Sequence, residues 1–92
     1  MNPLNRSKLL TNYGNIFYQE GKFAEAEKIY LEAIEIYPAA LPPRINLGAI
    51  YAATNRFEDA ERMMNEALAI DPNNATLLSN LQQYRQIKES FK

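Results

Sequence analysis

Apolar residues recur three and four positions apart along most of the chain, and short polar or helix-breaking stretches interrupt that rhythm. Leu10, Tyr13, Gly14 and Phe17 share one helical face. Phe23, Ala26, Ile29, Tyr30, Ala33, Ile34 and Tyr37 make the face of a second helix. The interruption between them is "QEGKF", and Gly21 supplies the left-handed backbone that ends a helix without steric cost. The second helix stops at Pro38, which has no N–H with which to continue it. Helices restart at Pro42–Pro43, where proline suits a first turn, and after Asn73–Asn74, whose side chains can cap. Asn2–Pro3 offers a similar start at the N-terminus. The pattern predicts an all-α chain with five helices, over 3–20, 23–37, 42–54, 57–70 and 75–90.

The pattern also repeats. Gly14 recurs as Gly48, Phe23 as Phe57, Ala26 as Ala60, Ala33 as Ala67 and Pro38 as Pro72, each pair separated by 34 residues. Residues 7–40 and 41–74 share about ten identities in this register, and 75–92 begin a third copy that stops half-way. Asn55 takes the place of Gly21 in the second copy and is the next-best residue for a left-handed turn. This match reads both positions as helical-hairpin turns and not as phosphate-binding loops. Gly14 is expected to let its helix approach the one carrying Ala26 and Ala33, which lie seven apart on a single face.

A helix–turn–helix unit of 34 residues with this residue order resembles the tetratricopeptide repeat family. The first copy supplies Leu10, Tyr13, Gly14, Phe17, Ala26, Tyr30, Ala33 and Pro38. The second supplies Arg44, Leu47, Gly48, Tyr51, Ala60, Met64, Ala67 and Pro72. Two departures stand out. Arg44 occupies a position that is usually large and apolar, and Pro42–Pro43 stiffen the start of its helix. In the half-copy, Gln82 stands where glycine stood and Arg85 replaces Phe17 and Tyr51. Leu77, Leu81, Tyr84 and Phe91 remain as an apolar stripe, so 75–92 reads as a solvating cap over the second repeat. The resemblance implies an antiparallel helix-hairpin solenoid: a single domain with repeats at 7–40 and 41–74 and a capping helix.

Composition narrows the chemistry. A net charge of −1 gives no concentrated basic field, so neither a nucleic-acid partner nor an anionic membrane is expected. The absence of cysteine and histidine removes thiolate nucleophiles, zinc–thiolate sites and the usual general base. No run approaches the length that spans a bilayer, and "MNPLNRSKLL" lacks the apolar core of a signal peptide; the expected setting is soluble and cytoplasmic. The carboxylates of the second helices (Glu25, Glu27, Glu32, Glu35 and Glu58, Asp59, Glu61, Glu66) alternate with Lys28 and Arg62 and read as solvated pairs within each helix. Asp71-Pro72-Asn73-Asn74 reads as helix stop plus cap, since it lacks the spaced acids and glycine of a calcium loop. Met63–Met64 reads as gap-filling. Neither an enzyme nor a cofactor or metal site is expected.

The resemblance places ligands on the concave face lined by the first helix of each pair. Carried over, the groove positions are Lys8, Thr11, Asn12, Asn15, Tyr18 and Gln19, then Ile45, Asn46, Ala49, Ala52 and Ala53, then Thr76, Ser79, Asn80 and Gln83. Lys8 is the one charged residue of this set. Family members that grip a peptide's terminal carboxylate use several basic residues; here Thr11, Thr76 and Asn80 stand in those places, so that mode is disfavoured. Asn12, Asn46 and Asn80 are equivalent, at intervals of 34. They resemble the asparagine ladder of O-linked N-acetylglucosamine transferases, whose amides can hold an extended peptide backbone. Asparagine is also common at this position throughout the family, and both readings stand. The expected function is a scaffold that binds a peptide segment of another protein in a neutral, asparagine-rich groove. The alternatives are a self-associating module (a homo-oligomer), a piece of a longer solenoid, or the accessory domain of an enzyme.

Overall fold

A computed structural model describes residues 1–90, in which α1 (Pro3–Gln19), α2 (Phe23–Ile36), α3 (Pro42–Ala53), α4 (Phe57–Ile70) and α5 (Ala75–Ser90) follow in order. Helices start where the sequence offers caps. The Asn2 side-chain oxygen accepts from the Asn5 N–H at 2.8 Å, and that of Asn74 accepts from the Leu77 N–H at 3.1 Å. Asn74 Nδ2 in turn donates to Asp71 at 3.1 Å, so this stretch is the stop and cap that its residues suggest.

Both hairpin turns have one geometry. Gly21 (φ +77°) and Asn55 (φ +64°) are the left-handed residues. In the first turn the Lys22 N–H donates to the Phe17 carbonyl at 2.9 Å and the Gly21 N–H to that of Tyr18 at 3.0 Å. In the second, the Arg56 and Asn55 N–H groups donate to Tyr51 and Ala52 at 2.7 and 3.2 Å. These paired bonds satisfy carbonyls that the ending helix would otherwise leave open.

Each helix packs mainly on its neighbours in sequence: α1 on α2, α2 on α3, α3 on α4 and α4 on α5. This is a two-hairpin solenoid followed by a fifth helix. The core is richest in the second repeat, where Leu47, Ile50, Tyr51, Ala60, Met63, Met64 and Ala67 are buried together with Leu77 and Leu81 of α5. Burying each large side chain contributes roughly 1.5–3 kcal/mol. Gln82 is exposed, and Tyr84 is half-buried against the core beside Leu77 and Leu81. Phe91, the last residue of the expected stripe, lies outside the described residues.

Three expectations change. Gly14 meets more than the small residues of α2: a Cβ added to it would lie 2.7 Å from Cε1 of the Tyr30 ring, while one on Gly48 would meet the terminal methyl of Met64. Tyr13, on the apolar face of α1, is 52 % exposed, its ring edge-on to Phe17 at 5.1 Å, whereas its neighbour Gly14 is buried against Tyr30 of α2. The buried residues of α1 are Ser7, Thr11 and Gly14. Ser7 Oγ donates to the Ala33 carbonyl at 2.9 Å and Thr11 Oγ1 to the Ser7 carbonyl at 2.8 Å, so the buried hydroxyls stay satisfied. Finally, the acids do not pair only within helices. Glu27 accepts from Arg56 at 3.0 Å and from the Tyr51 hydroxyl at 3.1 Å, and Glu61 accepts from Arg85 at 2.9 Å. Each ties one hairpin to the next element.

Arg44, the apparent outlier of the repeat pattern, is an anchor at the junction of the two hairpins. Its side chain is only 11 % exposed; it pairs with Glu66 at 3.3 Å and donates to the carbonyls of Ala40, at 3.1 Å, and Pro38. The guanidinium satisfies the carbonyls of the turn between α2 and α3 and carries its own counter-charge.

Candidate functional site

The helix-hairpin stacking leaves a cavity of about 340 Å³ between the N-terminal half of α1 and the connection from α2 to α3. Lys8, Thr11, Asn12 and Asn15 line it from α1, together with Leu4 and Ser7. The opposite wall is Tyr37 and residues 39–43, mostly apolar. The fold builds this wall for a local reason: α2 ends at Ile36, and the chain must turn before Pro42 opens α3. Four of the sequence-selected residues thus converge on one cavity. Tyr18, Gln19, Asn46, Ala49, Asn80 and Gln83 do not line it.

Those four differ in availability. Lys8 and Asn12 are exposed, and Lys8 carries the one full charge of the lining. Thr11 is 6 % exposed and its hydroxyl proton is given to the backbone, so its methyl and Cβ are what it offers. Asn15 is half-buried at the centre of a small polar network. Its side-chain oxygen accepts from the Tyr30 hydroxyl and, at 2.9 Å, from Asn46 Nδ2. Asn46 Nδ2 also reaches the Tyr30 oxygen at 3.4 Å. Burial raises the Tyr30 pKa, the bond from Asn46 lowers it, and the nearby Tyr18 adds to the rise. The phenol therefore stays a proton donor at neutral pH. With the Asn15 oxygen doubly occupied, its N–H groups find no acceptor among the described residues.

The remaining groove positions separate by helix. Asn46 is half-buried and spent on the network, where it joins α3 to α1 and α2. Asn80 is half-buried and Asn12 exposed, so three equivalent asparagines have three different surroundings. The repeat explains why. The positions that Asn46 bonds, Asn15 and Tyr30, become Ala49 and Met64 one repeat later, beneath Asn80, and neither of those side chains has the amide or hydroxyl that Asn46 uses. Ile45, Ala52 and Tyr18 pack partly against the core, Ala49 is half-buried, and Gln19, Ala53, Thr76, Ser79 and Gln83 are exposed.

The cavity wall at residues 37–43 is what groove carry-over missed, because family positions for ligand contact all lie on first helices. Pro42–Pro43 was the available signal: two rigid residues at the head of a helix hold a connection open.

Between α4 and α5 lies a shallow depression of about 440 Å³ where Glu58, Glu61 and Glu66 meet Arg62 and Lys88. Glu61 lies below the usual carboxylate range, chiefly because Arg85 donates to it, with Lys88 adding to the effect. Glu58, Glu61 and Glu66 pair with cations of α3 or α5, and Arg62 pairs with Asp59 of its own helix. Among the described residues no group of three or more acidic, histidine or cysteine side chains is placed to hold a metal ion, and no helix is long and apolar enough to cross a membrane.

A family model described as "Tetratricopeptide repeat" matches residues 5–73, well over half of the chain. No curated protein matches it.

Proposed function

The chain belongs to the tetratricopeptide repeat family, whose domains act as protein–protein interaction scaffolds, and from that premise we propose that it is a non-catalytic scaffold holding an extended segment of a partner protein in the α1 cavity. The observation that carries this reading is the cavity itself. It sets an apolar wall (Tyr37, Leu41 and Pro42) against one cation and two amide side chains on α1. An apolar side chain of the partner fills the pocket. Its backbone accepts from the free N–H groups of Asn15 and bonds Asn12 through either end of that amide. Lys8 favours a carboxylate at the pocket's edge. The segment then continues along the surfaces of α3 and α5 past Ala49, Asn80 and Gln83. Asn46 is committed inward, so changing it disturbs packing as well as binding; Asn12 and Asn80 are the informative pair for an asparagine ladder.

A random peptide library displayed against the immobilised chain tests this. Enriched sequences should share one large apolar residue beside an acidic one. The affinity of a selected peptide should fall about tenfold in Lys8→Glu with Asn12→Ala, at unchanged helicity. No enrichment, or enrichment indifferent to both substitutions, would overturn the reading.

A further inference from the structure

Leu9, Tyr13 and Ile16 are 55, 52 and 55 % exposed, and their spacing sets them in one stripe along α1. The repeat register identifies what such a stripe is for. The residues 34 positions on are Pro43, Leu47 and Ile50, all buried in α3, which has α2 on one side and α4 on the other. Another 34 positions on are Leu77, Leu81 and Tyr84, buried or half-buried where α5 lies on α4. In α3 and α5 this face is the contact between successive elements; on α1 it is bare. Among the described residues, the other exposed large apolar side chains form no comparable surface. Leu78 and Ile87 of α5 are nine positions apart, about half a turn out of phase.

We propose that this face of α1 binds the same face of a second copy of the chain, as an antiparallel pair of α1 helices about a two-fold axis beside Tyr13. Charge selects this occupant and this orientation. Arg6 lies on the stripe's edge one turn before Leu9, and Glu20 one turn after Ile16. Reversing a second α1 sets Leu9 of each copy against Ile16 of the other, and Tyr13 beside its own equivalent. Arg6 of each copy then faces Glu20 of the other, and the apolar stripe closes on an ion pair at both ends. A parallel pair would instead set arginine against arginine and glutamate against glutamate. Arg6 makes no ion pair among the described residues, and Glu20 makes one, an exposed contact with Lys22 at 3.7 Å. The contact is self-complementary and closed, as a two-fold interface must be. None of these residues lines the cavity, so dimerisation and peptide capture are read independently.

Sedimentation equilibrium of the 92-residue chain at low salt, from about 1 μM to about 1 mM, tests it. The mass should rise from one chain to two and stop there. Arg6→Glu and Glu20→Arg should each weaken association about tenfold, and the double variant should return to within about threefold of the parent. Ile16→Asp should be monomeric throughout with an unchanged far-UV spectrum, since the side chain is exposed in the single chain. A parent that stays monomeric, a mass that grows beyond two chains, or a charge swap that does not restore association would each overturn the proposal.

Discussion

The two hairpins share a register and much of their sequence, yet they are held together differently. In α3 the buried set is Pro43, Leu47, Gly48, Ile50 and Tyr51; in α1 it is Ser7, Thr11 and Gly14. Tyr13 and Leu47 are equivalent residues, one half in water and the other fully buried. The difference is not hydrophobicity. α3 has a helix on both sides, α2 and α4, whereas α1 packs chiefly on α2. In a repeat protein each residue's burial is conferred by its neighbours in the stack, and one residue type at one position can be core in one repeat and surface in the next.

The largest expected effect tests this directly. Leu47→Ala should cost about 2–5 kcal/mol and lower the melting temperature by roughly 10 °C or more. Tyr13→Ala, at the same repeat position, should cost less than about 1 kcal/mol when measured at low protein concentration. Equal losses would mean that the bare face of α1 is covered within the single chain. The glycines give a smaller contrast. Gly48→Ala asks only the flexible tip of Met64 to move, and the helix propensity gained offsets that shift, so its stability should stay within about 0.5 kcal/mol of the parent. Gly14→Ala pushes on a Tyr30 ring whose hydroxyl is held by Asn15 and should cost about 1–2 kcal/mol in denaturant unfolding.

The smallest effect depends on pH. Glu61 titrates below its unfolded value because Arg85 donates to it. Its pairing therefore stabilises the fold above the unfolded carboxylate value, near 4.3, and is lost as the pH falls through the lower folded value. Arg85→Ala should leave a shallower loss of stability between about pH 5 and pH 3 than the parent shows. The change should be slight, because Arg85 is more than half exposed.

Much of this fold is legible in the sequence because repetition tests each assignment twice. Gly21 and Asn55 are read as left-handed turns from their equivalence alone, and both are. The helix ends differ from expectation by one residue at Gln19, Ile36 and Ala53. Periodicity could not tell that Tyr13 is exposed, since it reports which residues share a face and not whether another helix lies on it. Nor could it find the partners of Arg44, Glu27 and Glu61, which lie 22 to 29 residues away, in or at the head of other helices. The cavity was half-visible. Lys8, Thr11, Asn12 and Asn15 follow from the first helix of the repeat, but its other wall is a connection whose path depends on where α2 ends and how the two prolines hold α3.

Arg44 bears on the shape of the whole surface. A solenoid's curvature is the sum of small rotations from one repeat to the next. At the one place where this chain sets such a rotation between complete hairpins, a planar, nearly buried fork grips two turn carbonyls on one side and Glu66 of α4 on the other. It acts as a fixed bevel between two blocks. The angle between the two hairpins is thereby held by a side chain that does not line the α1 cavity.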